Sequence, residues 1–297
     1  MMLEIKSPKD LTLVANFIAE LNKEKEHHVG YCGIKADELL HTLDHDFSDL
    51  PIVQSFIAAY DNGVLIGVLG IDIDETTKVG ELWGPFVLHA EWEEISFRMW
   101  NQLLAPLSHG ALKEVKGFYN LSNSRCGQFM DRVGAKKEKD HHSILKITRE
   151  DYRNKDVRTN SLNVMEYTSN YYQSFKDLHH QTFKQAYYGA DEIIGKVDAE
   201  NKLFIMIEGE TLLGYAYCET EAQFAEGDIH FIAVSPVARN KGVGKALINR
   251  CLEFMFSFNE LDEIILCVNS SNKAALSIYE QAGFIELNKL VSYELKV

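Results

Sequence analysis

Apolar and polar positions alternate in the same order twice along the chain. The segment "SFIAAYDNGVLIGVLGIDID" from Ser55 is an apolar run, a polar turn, a second apolar run with glycine, and then acids. "LFIMIEGETLLGYAYCETE" from Leu203 repeats it, and each segment predicts a β-hairpin. Before the first hairpin, Leu11, Val14, Phe17, Ile18 and Leu21 recur at helical spacing. There Ser7 suits an N-cap, Pro8 the first helical position and Asp10 the positive helix end. "SNYYQSFKDLHHQTF" predicts the corresponding helix of the second half. After the second hairpin, "DIHFIAV" predicts a strand and "KGVGKALINRCLEFMFSF" an amphipathic helix, with Val243, Ala246, Leu247, Cys251, Phe254, Met255 and Phe258 on one side. "EIILCVN" shows no alternation and reads as a strand covered on both faces. "SNKAALSIYEQAG" predicts a helix from Ser271 or Asn272 to Gly283.

The halves also match later in the chain. "NLSNSRCGQFMDRVGA" lies over "NSSNKAALSIYEQAGF", with Asn120, Ser122, Asn123 and Gly134 over Asn269, Ser271, Asn272 and Gly283. The offset is about 148 residues throughout, the signature of an internal duplication. Glu150 to Asn160, "EDYRNKDVRTN", is charged and aperiodic and reads as a linker. The expected organisation is a first domain over 1–149, a linker over 150–162 and a second domain over 163–297. Each half is a mixed α/β unit around one central sheet.

Composition narrows the function. A formal net charge of -14 argues against a nucleic-acid binder, which needs a basic stripe; it is mildly compatible with a cationic small substrate but reads first as charge that serves solubility. Cys32, Cys126, Cys218, Cys251 and Cys267 form no CxxC pair and read as reduced, buried thiols. "MMLEIKSPKD" lacks an apolar signal core, and no window is long and apolar enough to span a bilayer, so a cytoplasmic protein without membrane attachment is expected. The histidine pairs at 27–28, 141–142 and 179–180 lack convergent carboxylate or cysteine partners, and no metal site is expected.

Positive charge gathers in "VSPVARNKGVGKALINR", from Val234 to Arg250. A strand, a glycine-rich turn and a helix start make an anion site, because the first helical N–H groups have no internal partner. Gly242 and Gly244 remove Cβ atoms that would block a phosphate, while Arg239, Lys241 and Lys245 add charge. The Walker pattern fails, since Ala246 follows Lys245 and Arg239 takes the place of the first glycine. A dinucleotide GxGxxG is also missing.

The loop resembles the acetyl-CoA loop of the GNAT superfamily of N-acetyltransferases, through Val234, Pro236, Arg239, Gly242 and Gly244. The next motif of that family is matched by Asn272, Ala275, Tyr279, Gly283 and Phe284. The resemblance covers about Asn163 to Val297 and reaches the first half only through the repeat. It implies an α/β (α+β) fold class, two tandem GNAT folds, each with a mixed, mostly antiparallel sheet flanked by helices. It further implies transfer of an acetyl group from acetyl-CoA, as co-substrate, to a primary amine of a small molecule or peptide by direct attack in a ternary complex. Presenting an alkyl amine neutral at pH 7 costs roughly 4–5 kcal/mol, so a base must take a proton. The resemblance implies acetyl-CoA contacts at Ile232, Ala233 and Val234, at Arg239, Asn240, Lys241, Gly242, Val243, Gly244 and Lys245, and at Asn272 and Tyr279. It makes Tyr279 the general acid for the leaving thiolate, with a core tyrosine as the plainer reading. For the base, His230 and Asp228 share a face by the two-residue period, against the alternative of a satisfied sheet histidine, and Glu226 is a weaker candidate.

The first half departs from the pattern. Arg239 is matched by Trp92, Gly242 by Ile95, Gly244 by Phe97 and Tyr279 by Met130, with Glu91, Glu93 and Glu94 nearby. Bulk and negative charge there predict a lost site. That half is expected to support the fold or the substrate pocket, and the aromatics of "YYQSF" and "QAYYGADEIIG" are candidates to line a substrate pocket, with core packing the plainer reading of most of the apolar ones. The competing reading is a non-catalytic acyl-CoA-binding or regulatory module.

Overall fold

Helix α1 shows how local chemistry sets the element boundaries. It spans Leu11–Asn22, and its N-cap is Asp10, whose Oδ1 accepts from Leu13 N at 2.9 Å. The expected cap, Ser7, instead donates to the Val53 carbonyl at 3.0 Å, because a carboxylate directly before the apolar stripe satisfies the helix N–H groups better. The computed structural model describes residues 3–107, 110, 112–154, 163–184, 186–222 and 225–297.

The chain divides into two compact units, residues 1–142 with 288–297 and residues 143–287. The first contains β1 (Leu3–Lys6), α1, α2 (Ala36–His45), α3 (Ile52–Ser55), β2 (Phe56–Asp61), β3 (Val64–Asp74), β4 (Val79–Val87), α4 (Trp92–Leu107), β5 (Glu114–Asn120) and α5 (Ser124–Arg132). Strand β6 (Lys136–Thr148) begins in this unit and ends in the second. The second continues with α6 (Arg149–Asn154), β7 (Val164–Glu166), α7 (Tyr172–Thr182), α8 (Ala190–Lys196), β8 (Lys202–Glu208), β9 (Thr211–Glu221), β10 (Glu226–Val234), α9 (Val243–Met255), β11 (Glu263–Asn269) and α10 (Lys273–Ala282). Strand β12 (Ile285–Lys296) starts in the second unit and finishes in the first.

The boundaries expected at 149 and 163 are therefore corrected. Residues 290–296 of β12 pair antiparallel with β5, from Leu290↔Asn120 to Lys296↔Glu114, so the closing strand belongs to the first unit. At the other crossing, Leu145 and Ile147 lie in the core of the second unit. The expected linker opens as helix α6, and its remainder, 155–162, lies outside the described residues.

Both hairpins form as read, β2 with β3 and β8 with β9, all antiparallel. In the second unit the strands run in the order β6-β11-β10-β9-β8-β7. Alternation along β8 buries Phe204 and Met206 with α9, and Leu203 and Ile205 with α7 and α8. The sheet is thus covered on both faces. Strand β11 is not: Ile264 and Leu266 are buried against α9, whereas Cys267 is exposed. The unbroken apolar run hid this alternation, and it also corrects the expectation that every thiol is buried; the other four are.

The repeated Asn-x-Ser-Asn motif has one structural meaning in both units. Asn120 Oδ1 accepts from Ser122 N at 2.9 Å, and Asn269 Oδ1 accepts from Ser271 N at 2.8 Å. Asn123 and Asn272 then cap α5 and α10, each accepting from the N–H three residues on at 3.1 Å. Both segments end at a left-handed glycine, Gly134 with φ 87° and Gly283 with φ 104°.

Candidate active site

Strand β10 carries the centre of the site. It pairs with β9 from Glu226↔Glu221 to Val234↔Gly214, but with parallel β11 it shares the single register pair Asp228↔Ile265. Among the described residues, the β11 side of β10 carries no further ladder pair beyond Asp228. The β9 ladder slips between Ile229 and Phe231, leaving His230 as the extra residue of a β-bulge. The bulge changes the phase of the strand. Ile229 packs on the α9 side, while Phe231 and Ala233 pack on the α7–α8 side. The simple two-residue period therefore fails at His230, yet the bulge still leaves its Nδ1 3.8 Å from Asp228 Oδ2.

The His230 ring is held from two sides. Glu219 Oε2 lies 3.2 Å from Nε2, and the Tyr187 hydroxyl lies 2.7 Å from Nδ1. A carboxylate only accepts, so Glu219 favours the tautomer with its proton on Nε2, leaving Nδ1 to accept from Tyr187. Glu219 is itself fixed by the Tyr217 hydroxyl, which donates to Oε1 at 2.7 Å.

Asp228 sets the local field. Burial first, and then the Asp228 charge, raise the Tyr187 and Tyr279 hydroxyls above the ordinary phenol range. Both stay protonated at neutral pH. Tyr279 is 5% exposed and packs in the core against Phe284, ring centroids 5.6 Å apart. Cys267 is exposed as a residue, and desolvation of its thiol followed by the Asp228 charge still pushes that thiol up to about 12. The site therefore holds a thiol, not a thiolate nucleophile.

Past Val234 the chain makes a short 3₁₀ turn over Pro236–Ala238 and reaches Gly242, which precedes α9 with φ 80°. A side chain at Gly242 would be strained in that left-handed conformation. Asn240 is also left-handed, with φ 61°, and Arg239, Lys241 and Lys245 are exposed. The loop thus delivers three cations and the unpartnered N–H groups of a helix of 13 residues to one place. Gly244 also has a packing role. It is buried, and a Cβ there would meet Ile278 Cδ1 at 3.3 Å and Val234 Cγ2 at 3.5 Å, so it permits close packing beneath the loop.

Asn272 is placed as the α10 cap already described. Of the histidine pairs, His179 is a buried structural residue, its ring nitrogens 2.5 Å from the Tyr215 hydroxyl and 2.9 Å from the Tyr188 carbonyl. Among the described residues no group of acids, histidines and cysteines is arranged to hold a metal ion, and no helix is long and apolar enough to cross a membrane. Glu219, Tyr217 and Cys267 were missed as site residues in the sequence. The acids closing each hairpin were visible, but only strand register brings Glu219 opposite Asp228.

In the first unit the matched loop is absent. Helix α4 already begins at Trp92, the residue matched to Arg239, with Glu93 and Glu94 in its first turn. Trp92 and Ile95 are buried, as is Met130 at the position of Tyr279.

A model of the acetyltransferase (GNAT) family matches residues 161–284, the segment that holds β10, the loop and α10. A spermidine N(1)-acetyltransferase of Vibrio cholerae is 31% identical over 133 residues, which cover 44% of this chain and 72% of that protein. The chain belongs to the GNAT family of acetyltransferases. The GNAT likeness extends over the whole chain at the level of fold. A GCN5-related N-acetyltransferase from Sphaerobacter thermophilus matches 99% of it with a TM-score of 0.71 at 14% identity, over 95% of that structure. A tandem GNAT protein from the clavulanic acid biosynthesis pathway matches 99% with a TM-score of 0.65 at 13% identity, over 98% of its length. This GNAT protein is an acetyltransferase built on two mixed α/β units.

Proposed function

We propose that the protein transfers an acetyl group from acetyl-CoA to a primary amine, by direct attack with both substrates bound, and that the second unit carries the chemistry. The observation that carries this reading is the path of β10. It leaves β11 after one pair and carries Ile232, Ala233 and Val234 straight into the cationic turn at the α9 N-terminus.

The residues fit the donor. Arg239, Asn240, Lys241, Gly242, Val243, Gly244 and Lys245 form the turn and first helical residues around a pyrophosphate. The edge of β10 past Asp228 suits an amide-bearing arm, and Asn272 flanks it from the start of α10. Acetyl-CoA supplies the activated thioester. His230 Nδ1 takes a proton from the acceptor ammonium group as Tyr187 moves aside, and Glu219 stabilises the charged ring. Asp228 attracts the ammonium group and orients it. The N–C bond forms and the C–S bond breaks, with Tyr279 Oη giving its proton to sulfur. The ammonium group loses two protons in all: one leaves through His230 to solvent, and the other restores Tyr279.

Calorimetry with acetyl-CoA on the wild type and on Arg239→Glu tests the reading. One site per chain is expected, with affinity lowered at least about tenfold in the variant, since a charge-assisted phosphate contact is replaced by repulsion. Two sites per chain, or unchanged affinity, would overturn the assignment of the loop.

A further inference from the structure

Two tyrosines of β9 begin hydrogen-bond chains that end on opposite sides of the His230 ring. Tyr215 and Tyr217 are fully buried, two residues apart, on the α7–α8 face of the sheet. The Tyr217 hydroxyl donates to Glu219 Oε1 at 2.7 Å, and Oε2 of the same carboxylate lies 3.2 Å from His230 Nε2. Tyr215 works through α7. His179 turns Nδ1 to the Tyr215 hydroxyl, at 2.5 Å, and Nε2 to the Tyr188 carbonyl, at 2.9 Å. A carbonyl only accepts, so Nε2 carries the His179 proton and Nδ1 accepts from Tyr215. Burial holds His179 below its ordinary range, which keeps this single-proton arrangement at neutral pH. The Tyr188 peptide is thereby pinned, and its neighbour Tyr187 sets its hydroxyl 2.7 Å from His230 Nδ1.

A buried phenol needs a partner, and a backbone carbonyl is enough to supply one. Tyr119 of the first unit shows this, its hydroxyl donating to the Gly84 carbonyl at 2.8 Å. Tyr215 and Tyr217 instead hold ionisable side chains that lead to the ring. The first unit separates the two cases further. Its ladder pair Asp72↔Glu81 stands at the place of Glu219↔Asp228. Counting from these pairs, Gly70 takes the place of Tyr217, Val68 that of Tyr215 and Trp83 that of His230. A side chain at Gly70 would run into the Phe56 ring, so no phenol fits there. Both hydroxyls and the imidazole are missing together from the unit that lacks the cationic turn.

Resting on His230 as the base in the reading above, we propose that Tyr217 and Tyr215 are positioning residues for acetyl transfer. Tyr217 commits one oxygen of Glu219, so the other stays on Nε2 and Nδ1 is kept for the incoming amine. Without that bond the carboxylate turns toward Lys196 Nζ, which lies 3.7 Å from Oε1. Tyr215 holds the α7–α8 connection so that Tyr187 covers Nδ1 until the acceptor displaces it. The other titratable groups facing the ring are Asp228 on β10, 3.8 Å from Nδ1, and Tyr188, with Cys267 on β11 beside Asp228. Asp228 stands on the Nδ1 side, so the Nε2 side is set from β9.

Nitrogen-15 spectra of the histidine rings in the full chain test this, with the His230 signals assigned by their loss in His230→Gln. Tyr217→Phe and Tyr215→Phe keep the buried rings and remove one oxygen each. In Tyr217→Phe the His230 Nε2 proton is expected to exchange with water at least about tenfold faster, the equivalent of one hydrogen bond to a charged group. Glu219→Gln should quicken it too, and adding Tyr217→Phe to that variant should change the rate by less than about twofold, because the hydroxyl acts through the carboxylate. Tyr215→Phe should move the Nδ1 signal and leave the Nε2 proton as in the wild type. An unchanged Nε2 proton in Tyr217→Phe, or effects of Tyr217→Phe and Glu219→Gln that add, would overturn the role of Tyr217. An unmoved Nδ1 signal in Tyr215→Phe would overturn that of Tyr215. In turnover with butylamine, kcat should fall about tenfold in Tyr217→Phe and further in His230→Gln. His230→Gln acting at the wild-type rate would overturn the base assignment, and both positioning roles with it, whatever the ring signals show.

Discussion

Replacing Tyr279 by phenylalanine removes one oxygen from a ring that is 5% exposed and wedged against Phe284. The packing contacts stay, so the substitution isolates the hydroxyl. A positioned general acid contributes about a hundredfold to ten-thousandfold. Burial and the Asp228 charge hold this phenol above its ordinary range, so it yields its proton less readily than a free phenol. That places the loss at the lower end, about a hundredfold in kcat, or about 2.7 kcal/mol of transition-state stabilisation. The assay follows release of free thiol at saturating amine and acetyl-CoA, with acetyl-CoA affinity measured in parallel by calorimetry. The affinity should stay within about twofold, because the hydroxyl acts on the departing sulfur rather than on the nucleotide. A kcat within about threefold of wild type would refute the proton-donor role. A loss confined to KM would make Tyr279 part of the wall of the site.

Two further predictions concern the scaffold. Burial first, then the charges of Glu81, Asp49 and Asp74, push the Asp72 carboxyl from 3.8 up to about 7. Between those values the folded state keeps a proton that the unfolded chain has lost, so stability falls as pH rises through the window. Asp72→Asn should therefore raise stability at pH 8, by about 1 kcal/mol after allowance for its partial exposure, but not at pH 4. Thermal melts at the two pH values check this, and a pH-independent difference would refute it. Gly214→Ala would place a Cβ 2.6 Å from the Ala233 carbonyl oxygen, a backbone atom that cannot swing away. It should cost about 1–3 kcal/mol in denaturant unfolding, and an equally stable variant would contradict the packing described.

The hairpins, the duplication and the turn before α9 were legible because each depends on local periodicity or local turn chemistry. Asn123 and Asn272 show the same locality, since a cap is decided within four residues. What escaped depends on pairing across the sheet. Glu219 belongs to His230 only through the β9–β10 register, and the bulge at His230 leaves no mark in a two-residue pattern. Tyr187 could be read as an aromatic near the acceptor, but its bond to His230 bridges 43 residues of chain. The unit boundaries escaped for a similar reason. Strand β12 looks like the end of the second half in sequence, whereas its hydrogen-bond partner is β5.

The turn before α9 and the facing acid pair respond to different constraints in the two units. In the second unit α9 waits until Val243 to begin, leaving a turn with Gly242 at φ 80°. In the first, the matched residues from Trp92 onward are already helix, with Trp92 and Ile95 drawn into the core. Winding the turn into the helix gives these residues internal hydrogen bonds and buried area, and it removes the anion site in the same step. The paired carboxylates, by contrast, stand at the same register in both units. In the first, Lys116 stands in register with Glu81, and in the second Lys196 Nζ lies 3.7 Å from Glu219. An acid pair facing across a ladder costs stability in each unit unless a cation answers it. Each unit supplies a lysine of its own beside one member of the pair, so the scaffold keeps the acid pair whether or not the turn before α9 is present.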